Sequence, residues 1–146
     1  MSRILGEGQV QQVYPTISKV LKNCLLCTVP IVVLAAVFPV RIAGIYTDDL
    51  SLAQLVVPSI LVICAGTLFQ GFGNAYFEAV SGTGNTSAAL YLETSVLVFY
   101  VLFIWFMTHF TTRVELVWTA EIIYGALLGI ICYLYLKLAN WSNRRI

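Results

Sequence analysis

Val96-Leu97-Val98-Phe99-Tyr100-Val101-Leu102-Phe103 decides what kind of molecule this chain is. A strand crossing a membrane alternates polar and apolar residues over about ten positions, and this run does not alternate. An isolated strand in lipid would also leave its backbone N–H and C=O groups unsatisfied, whereas a helix satisfies them internally. The run therefore reads as helix. Its surroundings extend it to membrane length, because from about Ala88 to Thr108 only Glu93 is charged. A helix crossing the hydrocarbon layer needs about 20 mostly apolar residues.

Working outward, three further stretches meet or approach that requirement. One runs from Asn23 to about Ile45, with Arg41 near its far end. A second, from about Leu52 to Phe77, has no charge. The last runs from about Leu116 to Leu136, with Glu121 in its first turns. Between them lie the charged Thr47-Asp48-Asp49, the Gly/Asn/Ser/Thr-rich Ser81–Thr86 and the polar break His109–Arg113, all of loop composition. The expectation is an all-α polytopic membrane bundle of about four transmembrane helices, spanning about 23–45, 52–77, 88–108 and 116–136, in a single unit over residues 1–146.

Composition agrees. The 146 residues are 60% hydrophobic and 10% charged, with a mean hydropathy of +0.88, whereas soluble domains carry about 25% charged and 45–50% apolar residues. Lipid is the expected solvent. A net charge of +1 offers no basis for a nucleic-acid partner. The placement of charge is more informative. With four spans, Arg3, Lys19, Lys22, Lys137, Arg144 and Arg145 share one side, while Arg41 and Arg113 lie opposite with Asp48, Asp49 and Glu115. The positive-inside rule then puts both termini in the cytoplasm; the expected location is the plasma (inner) membrane. The mixed polar start, with Arg3, Glu7, Lys19 and Lys22, lacks the pattern of a secretory signal peptide. Trp118 and Trp141, at opposite ends of the last span, read as interfacial anchors.

A carboxylate inside a bilayer costs about 2.5–3.5 kcal/mol on insertion scales and needs a reason to persist. Glu93, about a turn inside the third span, and Glu78, at the end of the second, are candidates for proton or cation exchange; the competing reading is that each reaches water at headgroup depth. Gln70, Asn74 and Glu78 recur at i, i+4 and i+8 and share a helix face, as a translocation path or an interhelical hydrogen-bonding stripe would. Gly82, Gly84 and Asn85 form a tight turn; no strand precedes them and no Lys-Ser/Thr follows, so they are no phosphate loop. Gly125 and Gly129 form a G-x-x-x-G, which permits close helix packing. Pro30 and Pro58 fall within spans. Cys24-x-x-Cys27, Cys64 and Cys132 read as small apolar residues; with the lone His109 far off, neither a metal site, a redox pair nor an enzyme active site is expected.

Three stretches resemble a known family in order and spacing. Ala79-Val80-Ser81-Gly82-Thr83-Gly84-Asn85-Thr86 is similar to the Leu-Arg-Gly-x-Gly-Asp/Asn-Thr motif of multidrug-and-toxin-extrusion (MATE) transporters. Ser2-Arg3-Ile4-Leu5-Gly6-Glu7-Gly8-Gln9 looks like that family's cytoplasmic loop. Phe38-Pro39 through Ile45-Tyr46-Thr47-Asp48 resembles its Pro then Phe-Thr-Asp pattern. The resemblance implies twelve helices in two bundles of six, with this chain supplying helices nine to twelve. It implies a secondary exporter that exchanges Na⁺ or H⁺ for organic cations or other amphipathic drugs, with no cofactor. The partners implied are the lipid bilayer and the N-terminal part of the transporter. Several family members carry an acid on helix ten, eleven positions before the Arg of the motif; here those two places hold Gln70 and Ser81. Two other readings fit the sequence: a self-contained four-span oligomeric transporter built on Glu93 and the Gly125/Gly129 face, and part of a polysaccharide or lipid flippase.

Overall fold

The computed structural model describes residues 12–138; the Ser2–Gln9 motif, Arg3, Glu7, Trp141, Arg144 and Arg145 lie outside them. The described residues form helices α1 (Val13–Val37), α2 (Pro39–Ala43), α3 (Leu50–Leu55), α4 (Val57–Ser81), α5 (Thr86–Phe110), α6 (Val114–Val117) and α7 (Thr119–Leu138), with no strand among them. Four helical stretches are long and apolar enough to cross a membrane: α1, α4, α5, and α6 with α7 together as Val114–Leu138.

The helix ends differ from the sequence expectation where the chain has a local reason to break. The first span begins at Val13, ten residues before Asn23, and ends at Val37 instead of running to Ile45. Val13 and Ile17, one turn apart, are buried, so packing recruits the mixed segment 13–22 into the helix. Phe38 then leaves helical geometry and Pro39 starts α2, as proline's fixed φ and missing N–H favour at a first helical position. Arg41 accordingly sits on α2, its guanidinium 5.2 Å from the centre of the Phe38 ring. The second span does not start at Leu52. α3 ends at Leu55, and Pro58 takes the second position of α4, where its lack of a donor costs no intrahelical bond. Trp118, itself in helical backbone geometry with its N–H bonded back into α6, marks the junction of α6 and α7.

α4 is the hub. It packs most extensively against α7 and also against α1 and α5, while α5 also leans on α7. The core lies at one end of the bundle, where the start of α1 (Val13, Ile17), the end of α4 (Ala79, Val80), the start of α5 (Ala89) and the end of α7 (Cys132, Leu136) meet. Lys19, Lys22 and Lys137 belong to this end by position. Large apolar side chains of α1 and α5, among them Ile31, Leu34, Phe99 and Trp105, stand exposed.

Glycine makes the α4–α7 contact close. A Cβ on Gly73 would stand 2.6 Å from the Gly125 carbonyl oxygen, and one on Gly125 would stand 2.6 Å from the backbone of Phe69. Gly129 lies against the Phe72 ring and Gly66 against Cβ of Glu121. The Gly125/Gly129 face is therefore turned inward onto α4.

Candidate functional site within the membrane spans

Gln70 lies near the middle of α4, about 20 Å along the helix from Val57 and about 16 Å from Ser81 at 1.5 Å per residue. An amide at that depth needs a partner other than water. Its Nε2 donates to Oε2 of Glu121 on α7 at 2.6 Å. The other carboxylate oxygen, Oε1, accepts from the hydroxyl of Tyr100 on α5 at 2.7 Å. Three helices thus meet on one carboxylate. The Tyr100 ring is fixed in turn by an edge-on contact with Tyr124, centroids 5.4 Å apart.

Two backbone features place Glu121 there. Its stem crosses α4 at Gly66, where a Cβ would come within 3.0 Å of it; a larger residue would hold the helices apart. The break at Trp118 also gives α7 its own N-terminus inside the span, with Glu121 in the first turn. A negative side chain is favoured there by the aligned peptide dipoles. Glu121 lies about 10 Å along the Val114–Leu138 span, deeper than its place near the start of an apolar run implied. A groove of about 340 Å³, lined by Ile63, Gly66, Thr67, Gln70, Trp118 and Glu121, opens onto the carboxylate.

The sequence-predicted residues divide. Gln70 joins the network; Asn74 and Glu78 do not, and both stand exposed. Four residues rotate an α-helix by about 400°, so each i+4 step turns about 40°. Over two steps the stripe winds from the α7 side of α4 to its open side. Glu93 is half-buried, close enough to Tyr124 and Cys132 to act electrostatically on both.

The turn residues are positioned by their own bonds. Gly84 has φ of 80°, a conformation that strains any residue with a Cβ. Asn85 caps α5, its Oδ1 accepting from the Ala88 amide at 3.3 Å, and its Nδ2 donates to the Tyr135 hydroxyl on α7 at 2.8 Å. The buried Thr83 hydroxyl donates to the Val80 carbonyl at 2.7 Å. The turn is thereby tied to the closing end of α7.

Sequence reading missed Glu121 and Tyr100. Tyr100 carried no signal of its own inside an apolar run. Glu121 did: Glu121, Gly125 and Gly129 follow i, i+4, i+8, so the acid shares the face that two glycines mark for helix contact. Among the described residues no group of three or more His, Cys, Asp or Glu side chains converges as a metal site would, and every buried side-chain nitrogen or oxygen has a hydrogen-bond partner.

Compared with known families, residues 1–107 match the MatE family model. No match was found among curated proteins or among solved structures.

Proposed function

The chain belongs to the MatE family of membrane transporters, and from that premise we propose that it is part of a secondary active exporter, exchanging Na⁺ or H⁺ for organic cations or other amphipathic drugs. The observation that carries this reading is the family match over 1–107 on a chain with four membrane-length apolar helices. In this reading the four spans are the last four of twelve and complete the second six-helix bundle. Alternating access requires two repeats rocking around a site near the midplane, so the chain alone does not transport. Both termini face the cytoplasm, and the plasma membrane is its location.

The geometry supports a path along α4. Gln70 lies at mid-membrane depth in contact with Glu121 and Tyr100, while Asn74 and Glu78 continue from it along the open side of the helix. Glu93 approaches the same region from α5 through Tyr124. The exposed apolar faces of α1 and α5 are the surfaces that lipid and the remaining helices would cover. The inward-turned Gly125 and Gly129 leave the four-span oligomer without its glycine interface.

The test is efflux of a fluorescent organic cation from a drug-sensitive host. The chain alone is compared with a complete transporter reading frame that contains it, under imposed Na⁺ and pH gradients. Gradient-dependent efflux by the complete frame and none by the chain alone is the expected result. Efflux by the chain alone would favour the four-span oligomer. Export unchanged in Glu93→Gln, Glu78→Gln and Asn74→Ala variants would remove those residues from the path.

A further inference from the structure

We propose that Glu121 is the proton-exchanging group of this helix set, with Gln70 and Tyr100 as its positioning residues. The inference rests on the transporter reading above and assigns its coupling group. It stands on three features of the site.

First, the carboxylate is shared by three helices. Gln70 Nε2 of α4 donates to one oxygen and the Tyr100 hydroxyl of α5 to the other. A change in its protonation is therefore felt at once by α4, α5 and α7. Second, the partners can serve both states. The ionised group takes one donor on each oxygen, as found. When a proton binds Oε2, that oxygen becomes a donor and needs an acceptor. Gln70 supplies one by turning its amide end for end, so that Oε1 replaces Nε2, while Tyr100 continues to donate to Oε1 of the acid. A carboxylate at position 70 could not do this without setting two acids against each other. Third, a groove lined by Thr67 and Trp118 opens onto the carboxylate, so the group is not sealed off by the three helices that hold it. Proton uptake forms one O–H bond on Oε2 and release breaks it, with no other bond formed or broken; alternating access would open the group to one side of the membrane for uptake and to the other for release.

The surroundings favour a proton over a metal cation. A hard cation needs a shell of oxygen ligands. Here both carboxylate oxygens already face N–H and O–H donors. The titratable groups near Glu121 are Tyr100 and Glu93 from α5 and Tyr124 from its own helix. From α4 the facing side chains are the uncharged Gln70 and Thr67, and from α6 to α7 the junction presents Trp118.

The test is a pH titration of the full chain in lipid nanodiscs, followed by the infrared C=O stretch of protonated carboxyl groups in H₂O and D₂O. The expected result is a deuterium-sensitive band whose intensity changes with pH, that disappears in Glu121→Gln and persists in Glu93→Gln. Gln70→Leu and Tyr100→Phe, which keep Glu121 and remove one donor each, should move its midpoint by about one pH unit. These two variants decide the matter if Glu121→Gln does not fold. A band that survives Glu121→Gln, that vanishes in Glu93→Gln instead, or whose midpoint ignores both donor variants would overturn the assignment. So would loss of the band on adding Na⁺ at fixed pH. Titration at Glu121 in a protein whose complete frame exports nothing would uphold the site and remove the export reading; export without titration at Glu121 would do the reverse.

Discussion

Gln70 and Glu121 are fifty-one positions apart in sequence and 2.6 Å apart in space, and only one of them announced itself. Gln70 stood out because it begins a polar stripe with Asn74 and Glu78 and falls where the resembled family carries an acid. In the sequence Glu121 is only a charge in the first turns of the last span. What changes its meaning is glycine. Gly66 lets its stem pass α4, and Gly125, one turn on, lets the two backbones touch. Gly125→Ala places a Cβ against α4 backbone that has no room for it, and overpacking of this kind costs about 1–3 kcal/mol. The expected outcome is a loss of that size in detergent unfolding, while an exposed control such as Ser87→Ala changes little. Equal stability of the two variants would contradict the close contact. Asn85 is a second residue with a definite role. Asn85→Ala removes the cap of α5 and the bond to Tyr135, and caps contribute about 1 kcal/mol. The same unfolding measurement should register that loss, and Asn85→Asp, which keeps the capping oxygen, should recover part of it.

At the scale of elements, hydropathy made the existence of the four spans legible, because twenty apolar residues have few alternatives to a helix in lipid. Their ends were less legible, because ends are set by single residues and by packing. Pro39 and Pro58 stop or start helices that composition alone would run through, and Val13 and Ile17 are helical because a core exists for them. Removing the proline should remove the break. In Pro58→Ala the short α3 is expected to fuse with α4, lengthening the distance between spin labels at Leu50 and Ile60 toward about 15 Å of straight helix; an unchanged distance would mean that the break does not depend on Pro58. The cap of α3 gives a pH prediction. The Ser51 hydroxyl and the Ser51 and Leu52 amides donate to Asp49 and hold its carboxyl below the usual Asp value. A depressed folded value means that the cap is fully formed above the unfolded value of about 3.9 and is lost as pH falls through the lower folded one. The Ser51 and Leu52 amide resonances should hold steady from neutral pH to about 4 and move only below it. A midpoint at or above the ordinary Asp value would contradict the cap.

At the scale of the whole molecule, the helices are well packed at one end and along α4–α7, and they present apolar side chains elsewhere. Such an apolar surface belongs in lipid or against more helices. The charge count in the sequence and the antiparallel arrangement lead to the same division. Lys19, Lys22 and Lys137 belong to one end by position, with Asp48, Asp49 and Glu115 at the other. The three-helix junction on Glu121 exists only if α4, α5 and α7 lie side by side across the bilayer. The most direct test is accessibility of single cysteines, introduced as Asp48→Cys, Ser87→Cys and Thr112→Cys into a variant whose four native cysteines are replaced, in sealed right-side-out vesicles treated with a membrane-impermeant maleimide. With four crossings and cytoplasmic termini, positions 48 and 112 label in intact vesicles, and position 87 labels only after the vesicles are opened. Labelling of all three from the same side would contradict the account.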